Sequence, residues 1–471
     1  MELPAAAAAT NSLPWRQALV LGLLALVVYG LVAGERLLRP STDPHFILQA
    51  EAFLAGQLEL TRPPPHANDW ASYQELTLVG GETLRGVYRT SGRGGQHRRF
   101  QTLDGRLLLL EPGQVQRTRT RTFVSFPSFP AVLMLPFVAV LGPRFSDVAF
   151  TVVLAALNVA LLFLLLELLV VRGYSGRTRR ENLLLAGLFA FGTVHFWCAV
   201  LGQVWFTALI LGVTLSTLYL LAALDARHPL LAGLCLGLGM ATRTPLAFAS
   251  AFFLLQLWRP AGVWQLRRWR AWVRPLALFA APILVIGLLL VAMNLARFGQ
   301  PFEFGHTYLA GGTIPRIRTH GLFGWHFLGQ NLAAALLLLP VFSLASPYVQ
   351  LSRHGMSLLL STPPLLLLAT PRRWLLAAPP ARGLGVALLV ALGGVVLPLL
   401  FYQNTGHIQY GYRFSLDFTP LLWGLLALRR FRTGRLFGAL AVLAVVVNLF
   451  GALTFKRYEL LYDDHFLRLP W

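Results

Sequence analysis

Runs of roughly 17 to 25 apolar residues recur along this chain, each long enough to cross a hydrocarbon core of about 30 Å as a helix. Composition agrees with that constraint. The 471 residues are 56% hydrophobic and only 13% charged, against about 25% charged in soluble globular proteins. The mean hydropathy is +0.61. We therefore expect an all-α polytopic membrane protein, with residues 1–471 forming a single transmembrane domain and its loops.

Spanning segments are expected at 17–34, 147–171, 182–200, 204–224, 275–296, 384–402, 413–428 and 436–454. The stretch 229–258 suits two short helices broken at Arg243-Thr244-Pro245, and 356–370 suits a further span. Two apolar segments are ambiguous. Residues 126–141 carry Pro127, Pro130 and Pro136, and residues 323–344 carry His326, Gln330, Asn331 and Pro340. Proline removes a helix hydrogen bond, and irregular backbone survives at membrane depth only where protein or a cavity covers it.

Arginine clusters at 172–180, 259–274, 372–382 and 429–435 sit in short loops and are expected in the cytoplasm. If both ambiguous segments fail to cross, about eleven spans (roughly ten to thirteen) satisfy that rule, with the N-terminus inside. The same count places 35–146, 297–355 and the tail 455–471 outside. Long loops translocate largely regardless of charge, so the arginines of 62–121 do not conflict with it. Residues 46–54 have helical apolar spacing, and an amphipathic helix lying on the outer membrane surface is expected there.

The net charge of +21 is carried almost wholly by arginine, Lys456 being the only lysine. Because those arginines lie between apolar spans, orientation and anionic lipid headgroups explain them better than nucleic acid does. Cys198 and Cys235 fall inside apolar spans, so neither a disulfide framework nor a zinc site is expected. Arg16 and the apolar run after it read as a retained signal anchor.

Asp43, in Ser41-Thr42-Asp43-Pro44-His45, follows the first span closely. A carboxylate at the lip of a membrane cavity can take a proton from an acceptor hydroxyl. The plainer alternative is an N-cap for the helix that follows. Asp69, in Asn68-Asp69-Trp70, is a second external carboxylate or simply a turn residue. Arg243 interrupts an apolar stretch, and Arg413 lies where an external loop meets a span. Either can hold a phosphate through paired, charge-assisted bonds, or snorkel to the interface. His45, His306, His320, His326 and His407 match no zinc spacing, so no metal or other cofactor is expected. No Walker A sequence, dinucleotide fingerprint or nucleophile elbow is present, and the cytoplasmic loops are too short for a nucleotide-sugar domain.

In its order of features the chain resembles the GT-C class of integral-membrane glycosyltransferases, the group that contains protein O-mannosyltransferases and lipid A aminoarabinose transferases. Asp43-Pro44-His45-Phe46 before Gln49–Gly56 is similar to an acidic residue leading a juxtamembrane helix. Phe126–Ala131 with Leu135-Pro136-Phe137 resembles the proline-containing end of that loop. Gly233–Leu238 closed by Thr242-Arg243-Thr244-Pro245, Asn294–Phe302 with Gly305-His306-Thr307-Tyr308, and Tyr410–Phe414 complete the series. The resemblance implies Asp43 as the base, with Asp69 as a second carboxylate. It further implies Arg243 and Arg413 steadying a polyprenyl phosphate, with His45, His306 and Tyr308 in the substrate region. Pro44 stands where many members have a second acidic residue, and the insertion 62–121 has no counterpart.

The expected function is transfer of a sugar from a polyprenyl-phosphate carrier to an acceptor hydroxyl at the external face of a bacterial inner membrane. The expected partners are that donor, an acceptor glycan, lipid or protein, and membrane lipids. The alternative is a transporter or flippase of an anionic or lipid-linked substrate, against which the chain shows no internal repeat.

Overall fold

The computed structural model describes residues 13–89, 98–260, 263–264, 269–309, 313–369, 379–429, 431 and 433–464. Parts of the arginine clusters at 259–274, 372–382 and 429–435, and the end of the tail 455–471, lie outside those residues. Helix makes up 64% of the structure.

In chain order the elements begin with α1 (Trp15–Ala33), α2 (His45–Leu54), β1 (Trp70–Leu78), β2 (Thr83–Arg89), β3 (Arg98–Thr102), β4 (Leu107–Leu110) and β5 (Val115–Val124). Helices α3 (Phe129–Leu141), α4 (Asp147–Val171), α5 (Arg179–Phe191), α6 (His195–Ala199), α7 (Val204–Ala223), α8 (Pro229–Met240), α9 (Ser250–Trp258) and α10 (Trp269–Phe298) follow. Next come α11 (Thr313–His320), α12 (Leu328–Leu336), β6 (Val341–Phe342), β7 (Val349–Ser352) and α13 (Leu358–Ser361). The chain closes with α14 (Pro379–Phe401), α15 (Thr419–Leu428), α16 (Arg435–Thr454) and β8 (Tyr462–Asp463).

Among the described residues, six helices are long and apolar enough to cross a membrane: Trp15–Leu38, Asp147–Val171, Val204–Ala226, Trp269–Phe298, Pro380–Phe401 and Arg435–Thr454. The protein is therefore a helical membrane protein, with fewer uninterrupted crossings than the about eleven expected from run length alone. The reasons are local. The run at 182–200 stops at Gly192 and restarts at His195. The run at 229–258 breaks where Arg243 turns extended ahead of Pro245. Pro363 and Pro364 reduce 356–370 to a short helix and a 3₁₀ turn, and 413–428 opens with a 3₁₀ turn at Arg413–Asp417. Neither ambiguous segment makes a long helix. Residues 126–141 yield the 13-residue α3, about 20 Å long, and residues 323–344 yield α12 followed by a strand.

The chain divides into two compact units. The first comprises Met1–Ser41, Ser146–Leu284 and Phe323–Trp471. Its centre is α7, 89% of whose spanning window is buried, whereas α1 buries only the stripe Ala18, Ala25, Tyr29 and Ala33. Helices approach closely where side chains are absent: a Cβ on Gly233 of α8 would lie 2.0 Å from the Phe279 carbonyl oxygen of α10. Several buried polar groups inside this unit pair with each other or with the backbone. Asn158 Nδ2 donates to the Ile210 carbonyl, and the Thr214 hydroxyl donates to Asn158 Oδ1. Tyr29 donates to the Ala190 carbonyl, and Trp423 Nε1 to that of Leu185.

The second unit comprises Thr42–Phe145 and Val285–Leu322. Within it the unmatched insertion 62–121 folds as an antiparallel sheet in the order β4-β3-β2-β1-β5. The all-helical expectation thus holds for the long apolar runs and not for this loop or for the end of 323–344. Four strand steps in a flat sheet would separate β4 from β5 by about 19 Å. The link Glu111–Gln114 contains a 3₁₀ turn that rises only about 2.0 Å per residue, so the sheet curls into a roll. Leu76, Leu84, Phe100 and Leu110 fill its interior. At Gly86 the backbones approach so closely that a Cβ would lie 2.0 Å from the Gln101 carbonyl oxygen.

Helix α2 departs from the expected surface-lying helix. Its residues His45 to Ala50 and Ala52 are all buried, because it packs against α3 and lays Leu48 on Trp70 and Val124. Protein, not open membrane surface, covers most of its circumference.

Candidate functional site

The sequence candidates fall into two sets, one in each unit. Asp43, His45, Asp69, His306 and Tyr308 belong to the second unit, and Arg243 and Arg413 to the first.

In the second unit the cap position of α2 falls on Pro44, with no side-chain cap bond. The Asp43 carboxylate, whose side chain is 9% exposed, is held by its neighbours. The Thr42 hydroxyl donates to Oδ2 at 2.7 Å, and His66 Nε2 lies 3.1 Å from Oδ1. The tautomer of His66 follows from its other nitrogen: the Asn68 N–H donates to Nδ1 at 3.2 Å, so the ring proton is on Nε2. That proton points at Asp43 Oδ1 and at the Thr42 carbonyl, 3.0 Å away. The imidazole thus orients the carboxylate through Nε2, and His66 itself is about one-third exposed.

His45 lies flat on Trp70, with ring centroids 3.7 Å apart and planes 3° from parallel. Phe126 meets it edge-on. Burial pushes its imidazole down to about 4, although Asp43 and the Asn68 carbonyl both favour the charged form. His45 is accordingly neutral near pH 7 and serves as the packed floor beneath Asp43 and His66.

Asp69 occupies the left-handed region at φ 59°, and its carbonyl accepts from the Ser125 hydroxyl at 3.0 Å. It is the turn residue that starts β1, and its charge also reaches His306. Burial lowers the His306 pKa, with Glu303 and Asp69 acting against that. Tyr308 stacks on Phe298 at 5.3 Å and meets Tyr73 edge-on. Its phenol is pushed up to about 12, by burial first and by Glu303 second. Tyr308 therefore belongs to an aromatic cluster under the sheet.

In the first unit Arg243 is already paired. Its Nε and Nη2 donate to Asp417 Oδ1 and Oδ2 at 2.9 and 2.5 Å, and the Asp417 side chain is fully buried. The two-donor edge expected to grip a phosphate faces a carboxylate of the same chain, which leaves the Nη1 edge for any ligand. Arg413 is 3% exposed and sits among the rings of Trp205, Phe206 and Phe414, at 5.8, 5.4 and 5.5 Å. Arg243 lies 5.3 Å from the same Phe414 ring, so both guanidinium groups meet one aromatic side chain.

Two participants were missed in the sequence. His66 ends the run Pro63-Pro64-Pro65, a stiff extended segment that holds whatever follows it at a defined place. Asp417 stands four residues after Arg413 in an apolar span, and an ionisable residue there signals a partner. Among the described residues no group of three or more histidine, cysteine or acidic side chains is arranged to hold a metal ion. Compared with known proteins, the chain matches no family model, no curated protein and no solved structure.

Proposed function

We propose that the protein is a membrane glycosyltransferase that moves a sugar from a polyprenyl-phosphate carrier to an acceptor hydroxyl, with Asp43 as general base. The observation that carries this reading is the Asp43 carboxylate: shielded, fixed by Thr42 and by a tautomer-defined His66, and placed at the start of a juxtamembrane helix. Asp43 takes the proton of the acceptor hydroxyl as its oxygen bonds to the anomeric carbon. The bond from that carbon to the phosphate oxygen breaks, and its electron pair leaves with the polyprenyl phosphate. Within its own unit Arg243 is kept in one orientation by two charge-assisted bonds to Asp417.

In this reading the site faces the exterior of a bacterial inner membrane and the arginine clusters face the cytoplasm. The broken or shortened segments at 179–199, 229–258 (two helices), 358–369 and 413–428 supply five more crossings in this reading, which with the six long helices brings the total to about eleven. The Asp43 region supports an enzyme over a transporter because it lies outside every spanning helix.

The test is turnover of radiolabelled polyprenyl-phosphate sugar in proteoliposomes. Asp43→Asn is expected to cut transfer by roughly 10²- to 10⁴-fold. Unchanged transfer would remove Asp43 as the base. Movement of label across the bilayer with the glycosidic bond intact would replace the enzyme by a transporter.

A further inference from the structure

Beyond the proposed transfer site, the hairpin that follows α12 presents large apolar side chains to its surroundings. Leu339 is 60% exposed, Phe342 79% and Leu344 102%. A contiguous patch of this kind marks an interaction surface. Three observations identify what covers it.

The first is place. The segment leading into the hairpin is fastened to the end of the spanning helix α14. The Gly324 N–H donates to the Phe401 carbonyl at 2.9 Å, and Asn331 Nδ2 donates to the carbonyls of Leu400 and Tyr402 at 2.9 and 2.7 Å. Trp325 stands edge-on to Phe401 at 4.7 Å. A tryptophan beside the last carbonyls of a spanning helix is where the lipid–water boundary lies.

The second is the backbone, which suits a medium without water. Strands β6 and β7 pair with each other. In the turn Ser343 N–H donates to the Tyr348 carbonyl, Tyr348 N–H to that of Ala345, and Val349 N–H to that of Pro347. Pro340 and Pro347 bring no N–H at all.

The third is the segregation of charge. Residues 337–349 contain no acidic or basic side chain. The base of the hairpin is ionic: Arg353 bridges Glu459 and Asp464 at 3.1 and 3.2 Å, and His407 meets Asp464 at 2.9 Å.

We propose that the hairpin 337–349 is a monotopic anchor whose tip, at Phe342 and Leu344, inserts into the lipid leaflet bordering the Phe401 end of α14. Its ionic base stays in the aqueous layer. The occupant of the patch is bilayer lipid, and the anchoring does not depend on what reaction the protein performs.

The experiment uses the full chain in nanodiscs of phosphatidylcholine and phosphatidylglycerol. An environment-sensitive fluorophore is attached at Leu344→Cys, at Phe342→Cys, and at Tyr458→Cys beside the ionic base. The wild-type chain, whose Cys198 and Cys235 are buried, reports background labelling. Labels at 344 and 342 are expected to be quenched by nitroxide lipids at a depth of roughly 5–10 Å inside the headgroup boundary, and to resist iodide. The label at 458 is expected to behave in the opposite way. Iodide quenching at 344 and 342 without lipid quenching would put the tip in water and overturn the proposal. Protection from both quenchers would overturn it as well, by showing a protein cover from a second copy or another partner.

Discussion

Two carboxylates, one in each unit, show how burial decides what an acidic residue can do. Asp417 is fully buried and gives both oxygens to one guanidinium. Asp43 is nearly as shielded, yet it is held by a hydroxyl and by an imidazole that is itself one-third exposed. A charge locked against an opposite charge is neutralised and structural. Asp43 has no arginine among its bonded neighbours Thr42 and His66. The contrast teaches that the acid beside α15 organises an arginine, whereas the acid ahead of α2 is oriented by a hydroxyl and an imidazole, the arrangement on which the proposed base role rests.

That contrast can be broken by experiment. Asp43→Asn is expected to show the largest effect on transfer, the loss given above, with little change in thermal stability because the asparagine oxygen can accept from His66 while its amide donates to the Thr42 hydroxyl. Asp417→Asn is expected to do the reverse. It leaves Arg243 without its counter-charge and lowers stability by about 3–5 kcal/mol, read as a drop in melting temperature in detergent. The paired change Arg243→Met with Asp417→Leu should recover most of that loss. Equal destabilisation by the single and double variants would mean that the pair is not a desolvated unit.

Acid sharpens the comparison next. His45 has a folded pKa of about 4, below its unfolded value of 6.5, so between those values the unfolded chain binds more protons than the folded one. Stability is therefore present above the unfolded pKa and declines as pH falls from 6.5 toward 4, by up to about 3 kcal/mol. Melting temperatures at pH 7.5 and pH 5 should differ for the wild type, and the difference should shrink in His45→Gln. An undiminished acid slope in that variant would place the sensitive group elsewhere.

The smallest effect concerns packing. Gly86→Ala and Gly233→Ala each place a methyl 2.0 Å from a backbone oxygen, one inside the roll and one at a helix crossing. Each is expected to cost about 1–3 kcal/mol. Melting curves of both variants would show whether a strand pair or a helix pair yields more readily.

Much of the membrane architecture was legible because run length is a property of the chain itself. The six long helices coincide with apolar runs read directly from the residues. The breaks were less legible. Arg243-Thr244-Pro245 announces one of them, whereas Gly192 ends α5 within a run that looks continuous. The roll at 62–121 escaped for a physical reason. Its strand β5 alternates arginine with threonine and buries few of its side chains, so it carries little of the apolar periodicity that marks a strand. Asp43 stood out by position, but the bond that orients it comes from His66, 23 residues later, which no local pattern connects to it.

Sequence alone determined that the chain enters a membrane and where its longest helices run, because the cost of exposing apolar surface and of leaving backbone groups unbonded in lipid is set residue by residue. Only the tertiary structure decided which charges are matched and by what partner. It paired Arg243 with Asp417 across 174 positions, set His66 against Asp43, and left an apolar hairpin at the end of α14. Those outcomes depend on distances of a few ångströms between residues far apart in the chain, and such distances exist only after the helices have packed.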